Sequence, residues 1–248
     1  MPDVKKKVEV VFSPALYSHF ENPGANVVVV DILRATSAIC TAFMNGVSRV
    51  IPVPSQEEAR VYKKNGYLVA AERDGCVLDF ADFGNSPFNF TRDRIEGKQV
   101  VYSTTNGTKA VHMAQKSKNV LIASFLNITA VANFLIEKND DVLILCAGWK
   151  SKFSLEDTLF SGALVEQLLA SQKFYTICDS ATASLDLWSL AKPDVMAYIE
   201  KVAQRDRLRK LGLDDVLEYC HTPDLTTRLP AFRNGVIECC HQSAPVKD

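Results

Sequence analysis

The chain has 248 residues, 47% hydrophobic and 23% charged, with 28 Lys and Arg against 29 Asp and Glu for a formal charge of −1. That balance supplies no long-range attraction for nucleic acid or for an acidic membrane surface. The length is enough to bury a core without disulfide or metal staples, and the longest apolar runs, such as Val27–Val30 and Val142–Ala147, are far too short to span a bilayer.

The charged N-terminal stretch (Asp3, Lys5, Lys6, Lys7) leads into a run broken by Ser13 and Pro14, so no signal-peptide segment is expected. Seven scattered cysteines (Cys40, Cys76, Cys146, Cys178, Cys220, Cys239 and Cys240) read as reduced thiols of a cytoplasmic protein. Cys220-His221 and Cys239-Cys240-His241 lack the compact spacing of a zinc site.

Along the chain, Val8–Phe12 and Val27–Ile32 read as strands, the second apolar on both faces as in a buried parallel sheet. Ala35–Asn45 has helical spacing and stops at Gly46. Arg49–Val53 is a strand, Ser55-Gln56-Glu57-Glu58 opens a helix ending near Gly66, and Tyr67–Ala71 is another strand. Residues 74–97 show no periodicity and read as a long, functional loop. Strand Gln99–Ser103, helix Thr108–Gln115, strand Val120–Ala123, helix Ala130–Glu137, strand Asp141–Cys146 and helix Glu156–Ala170 follow. Thr176–Leu190, Pro193–Val202 and Asp214–Cys220 are helical, Gln204–Lys210 is a solvated charged face, and Val236–Cys239 is a last edge strand. The alternation predicts a single α/β domain over residues 1–248, a three-layer α/β/α arrangement on a mostly parallel sheet, with a helical elaboration over 171–235.

Ligands of such sheets gather where strands end and helices begin. There the sequence places Asp31 and Arg34, Glu72 and Arg73, Thr104-Thr105-Asn106-Gly107-Thr108, Ser124 with Asn127, and Ser154-Leu155-Glu156-Asp157. Each has a structural alternative: Asp31 pairing Arg34, Asn106-Gly107 as a turn, Asn127 as a cap, the acids after Ser154 complementing a helix dipole. Their sum suits a small anion better. Arginines and helix starts bind phosphate or sulfonate, and the carboxylates beside them call for a divalent cation such as Mg²⁺. Walker A, G-x-G-x-x-G and G-x-S-x-G motifs are absent, and Leu33 stands where an aspartyl-phosphate phosphatase needs its second acid. None of the four histidines has catalytic spacing.

Val30-Asp31-Ile32-Leu33-Arg34-Ala35-Thr36-Ser37, Glu72-Arg73, Phe83-Gly84-Asn85-Ser86-Pro87, Thr104–Thr108, Ser124-Phe125-Leu126-Asn127 and Phe153-Ser154-Leu155-Glu156-Asp157 occur in this order. Together they closely resemble the 2-phosphosulfolactate phosphatase family. The resemblance implies an α/β/α fold unrelated to the common phosphatase superfamilies. It also implies Mg²⁺-dependent hydrolysis of 2-phospho-3-sulfolactate to 3-sulfolactate and phosphate, a step of coenzyme M biosynthesis in methanogens. On that reading Asp31 and Glu72 are catalytic metal ligands, with Glu156 and Asp157 the next candidates, and Arg34 and Arg73 grip the anion. Thr105, Asn106, Gly107 and Thr108 form an anion cradle, Asn85 and Ser86 cover the site, and Ser124 and Asn127 contact a second anionic group. The Trp149-Lys150-Ser151-Lys152 stretch is more basic than the family loop, which bears on substrate identity. The expected partner is a small anionic substrate, with neither nucleic acid nor membrane, and homo-oligomerisation stays open. Another phosphorylated hydroxy acid as substrate, or a non-catalytic dianion binder, are the alternatives.

Overall fold

The computed structural model describes residues 4–240, so His241 lies outside the described residues. Among these, eleven strands form one sheet: β1 (Lys6–Val11), β2 (Asn26–Val30), β3 (Arg49–Pro52), β4 (Leu68–Arg73), β5 (Cys76–Val77), β6 (Gln99–Ser103), β7 (Asn119–Ala123), β8 (Val142–Cys146), β9 (Phe174–Tyr175), β10 (Pro230–Arg233) and β11 (Val236–Cys239), in spatial order 5-4-6-3-11-10-7-2-8-1-9. The helices are α1 (Ala35–Met44), α2 (Gln56–Lys64), α3 (Arg92–Ile95), α4 (Gly107–Met113), α5 (Ile128–Lys138), α6 (Leu155–Ala170), α7 (Asp179–Ala191), α8 (Val195–Ile199), α9 (Ala203–Lys210) and α10 (Leu217–His221). The expected α/β/α layering on a mostly parallel sheet is what the chain adopts.

Local chemistry explains the main elements. β2 is buried along its whole length between β7 and β8, both parallel to it, as an all-apolar central strand should be. Ser55 and Ser154 cap α2 and α6 through their side-chain oxygens, each followed by two acids in the first turn.

Three apolar clusters build the core. One face of β1, β2, β7 and β8 packs on α5, α6 and α7 through Val10, Val28, Ile144, Leu164 and Ala181. The opposite face, through Val27, Val29 and Leu145, shares one cluster with Val50, Ala70, Val100 and Tyr102 of β3, β4 and β6. Helices α1 and α4 contribute Ala38, Ala42, Phe43, Ala110 and Val111 to that cluster. The far face of β4 and β6 closes on α2 around Val69, Val101 and Ala59.

The C-terminal strands correct two expectations. Val236–Cys239 is interior, not an edge: β10 and β11 form a hairpin that pairs antiparallel with β7 on one side and β3 on the other. The stretch read as purely helical therefore contains two strands, β9 and β10. The hairpin also reverses direction between the halves, so β4 and β6 run opposite to β2 and β8. Strands twist roughly 20–25° at each step, and six steps separate β2 from β4. That twist turns much of the reversal back, and the carboxyl ends of both strands meet, with Asp31 after β2 and Glu72 near the end of β4 lining one cavity. A third correction concerns α9, which is no free solvated face: Gln204, Arg205 and Leu208 are buried.

The 74–97 segment is ordered rather than structureless. Asp74 and Gly75, both at positive φ, turn β4 into β5 as Asp-Gly pairs do. Further on, Phe83 and Phe90 stack edge-to-face at 5.1 Å in the central cluster.

Candidate functional site

At the shared carboxyl rim a polar cavity is lined by Asp31, Leu33, Arg34, Glu72, Gly75, Asn85, Asn106, Gly148, Trp149, Glu156, Asp157 and Gln204. Its volume of about 20 Å³ holds one water molecule or a bare cation. Six separated segments thus converge, and the candidates Asp31, Arg34, Glu72, Asn85, Asn106, Glu156 and Asp157 meet in one place.

Asp31 follows β2 directly. A tight turn fixes it: its backbone N–H donates to Thr36 Oγ1 at 3.0 Å, and Thr36 N–H donates to Asp31 O at 2.9 Å. Gly107 lets α4 approach, since a Cβ there would sit 3.1 Å from Asp31 Oδ2 and 2.8 Å from Ala35 Cβ. Arg34 is buried and donates one hydrogen bond, to Gly75 O at 3.3 Å, leaving most of its fork for the cavity.

The four acids are held differently. Glu72 and Asp157 clamp loops. Glu72 accepts from Gly75 N–H and Thr105 N–H, both at 2.8 Å, and from Thr105 Oγ1 at 3.1 Å. Asp157 accepts from Ile32 N–H at 2.9 Å and Gly148 N–H at 3.1 Å, tying the ends of β2 and β8 to α6. Asp31 keeps its oxygens largely free, taking only a 3.4 Å bond from Ala35 N–H, whereas the Glu156 carboxylate is held at the start of α6 by its own backbone N–H and the Ser154 hydroxyl.

Loss of solvent and mutual repulsion show in their acidities. Burial, then the charges of Glu72 and Glu156, push Asp31 up to about 7. Burial raises Glu156, and burial followed by the charges of Glu156 and Asp31 raises Asp157 well above the usual range. Negative charge has been gathered here without equal compensation, which is what a cation-binding site requires.

Asn85 adds a second signal. It is 8% exposed, yet its Oδ1 has no hydrogen-bond partner. An unsatisfied buried amide facing a cavity is suited to a ligand.

Other candidates are placed elsewhere. Arg73 turns away from the cavity, donating to Glu72 O at 2.6 Å and Ser103 Oγ at 2.9 Å. Thr105 is engaged by Glu72, and Thr108 bonds back to Thr104 O at 3.1 Å. Asn127 is spent on backbone, accepting from Ser124 N–H and donating to Ile122 O and Arg228 O. Ser86 and Ser124 do not line the cavity.

Sequence reasoning gave Gln204 no role in the site and noted Trp149 only as part of a basic stretch. Lys150 and Ser151, both at positive φ, fold 149–152 into a tight turn closed by Trp149 N–H to Lys152 O at 3.1 Å, which swings the indole over the cavity. Gln204 reaches from α9 to donate to Leu33 O at 3.3 Å. Its signal was the i, i+4 pair of Gln204 with buried Leu208 inside a charged run.

Among the described residues no group of three or more His, Cys, Asp or Glu side chains stands ready to hold a metal by itself. Mg²⁺ does not demand one: it is typically bound by one or two carboxylates, with waters and substrate oxygens completing the shell. Asp31 and Glu156, both lining the cavity, would supply those carboxylates.

An α/β/α sheet with a small cavity of acids and a buried arginine at its carboxyl rim defines a small-anion site of the kind used by hydrolytic enzymes. Residues 11–235 match the family described as 2-phosphosulpholactate phosphatase. Over 209 residues the chain is 40% identical to a probable 2-phosphosulfolactate phosphatase of Thermotoga maritima, covering 84% of this chain and 89% of the relative. It is 34% identical over 235 residues to one of Clostridium acetobutylicum, covering 93% and 99%, and 38% identical over 217 residues to one of Clostridium kluyveri, covering 86% and 90%. The chain belongs to the 2-phosphosulfolactate phosphatase family and is, as a member, a phosphoric monoester hydrolase.

Proposed function

We propose that the chain hydrolyses 2-phospho-3-sulfolactate with water to 3-sulfolactate and inorganic phosphate, with Mg²⁺ as cofactor. The observation that carries this reading is one small cavity lined both by a buried arginine with a largely free fork and by buried carboxylates, of which Asp31 is nearly unbonded. Asp31 and Glu156 would hold Mg²⁺, which supplies positive charge where the phosphoryl oxygens accumulate negative charge. Arg34 grips the phosphoryl group by charge-assisted hydrogen bonds. Asn85 and Asn106 orient the ester. Glu72 and Asp157 hold the loops in register, and Trp149 excludes bulk water. In the reaction the P–O ester bond breaks, a water oxygen bonds to phosphorus, and the released alkoxide oxygen ends protonated.

Seven free thiols and the absence, among the described residues, of any helix long and apolar enough to cross a membrane support a cytoplasmic site of action. The basic Trp149–Lys152 turn favours, as the second reading, another small phosphorylated hydroxy acid. Phosphate release from 2-phospho-3-sulfolactate by the purified chain, with Mg²⁺ and with EDTA, tests the proposal. Release that needs Mg²⁺ is expected; none under either condition overturns it.

A further inference from the structure

The proposed substrate carries a phosphate and a sulfonate, yet the cavity contains a single arginine, Arg34. A second cation stands just behind its wall. Arg207 of α9 donates through Nε to Gln204 Oε1 at 2.6 Å, and its guanidinium carbon lies 4.5 Å from the centre of the Trp149 ring. Gln204 and Trp149 both line the cavity. The other arginines of the helix have acid partners, Arg205 with Glu200 at 2.5 Å and Arg209 with Asp214 at 3.5 Å. Arg207 has none among the described residues, and its terminal N–H groups make no hydrogen bond there. Partly stripped of solvent and braced on both sides, it keeps its fork pre-set at little entropic cost. Leu208, buried beside it, anchors the helix in the core.

Resting on the phosphatase reading, we propose that Arg207 reads the second anionic group of the substrate, the sulfonate, while Arg34 holds the phosphoryl group. With the phosphoryl group in the cavity beside Arg34, the sulfonate projects past the indole to the Arg207 fork.

The test compares kcat/KM on 2-phospho-3-sulfolactate and on 2-phospholactate, which lacks the sulfonate, for the parent chain and for Arg207→Gln. A ratio of the two constants is independent of the fraction of folded enzyme, so partial misfolding does not confuse it. The parent is expected to prefer the sulfonate, and Arg207→Gln to lose about 10- to 100-fold of that preference, the worth of a charge-assisted contact. An unchanged ratio in the variant overturns the proposal, as does a parent with no preference. A loss of preference that follows Lys109→Ala/Lys150→Ala instead assigns the sulfonate to the neighbouring cleft those lysines line, and also overturns it. If the parent hydrolyses neither compound, the phosphatase reading itself fails, a distinguishable result.

Discussion

Asp31 is the cavity acid with the fewest hydrogen bonds and a proton affinity raised by its buried, acidic surroundings. Held at about 7 in the fold against 3.8 in the unfolded chain, it binds a proton more tightly when folded. Its contribution to stability is therefore fully present below pH 3.8 and is lost as pH rises through 7. A divalent cation bound here, as proposed, would replace that proton. Thermal melts are thus expected to show little Mg²⁺ stabilisation near pH 4 and a clear gain at pH 8, each kcal/mol being worth about 2–4 °C in a chain of this size. Equal Mg²⁺ effects at both pH values would remove the ion from this site. Asp31→Asn should lower turnover about 100-fold or more, while raising the metal-free melting temperature at pH 8 by relieving repulsion with Glu72 and Glu156. Retained turnover would take Asp31 out of the mechanism.

Where two elements touch most closely, α6 and α7, a single glycine decides the contact. A Cβ on Gly162 would lie 2.1 Å from Ser184 O and 2.7 Å from Trp188 Cβ. Backbone cannot yield as a flexible side chain can. Gly162→Ala is expected to destabilise by about 1–3 kcal/mol from overpacking, despite the helix propensity of about 1 kcal/mol that alanine gains. A raised denaturation midpoint would contradict this. Elements of this kind show what a sequence discloses. Asp31, Glu72, Asn106 and Glu156 could be read because each falls at a strand end or helix start, a local signal. Gln204 offered only its i, i+4 spacing with Leu208, a faint sign, because α9 carries no apolar stripe and its inward face depends on packing against Leu33. β10 escaped because it starts with Pro230 and ends with Arg233. The Asn234-Gly235 pair between β10 and β11, both at positive φ, was the available sign of a hairpin. Its position at the centre of the sheet had no local sign at all.

That hairpin governs the molecule as a whole. It joins two halves of the sheet that share no other strand, and it sets the angle at which the end of β2 faces the end of β4. Ile237, fully buried, is the residue of β11 paired with Val50 of β3. Ile237→Ala should cost about 2–5 kcal/mol through the cavity it leaves. Because Asp31 lies on one half and Glu72 on the other, it should also lower kcat/KM in the fraction that stays folded, although Ile237 does not line the site. A more direct test ends the chain after Leu229, leaving β7 and β3 with unpaired edges along their antiparallel faces. Such a chain should lose its sigmoidal thermal transition and aggregate. If it instead melts cooperatively near the parent temperature and still releases phosphate, the two halves assemble without the hairpin, and the convergence of Asp31 with Glu72 has another cause.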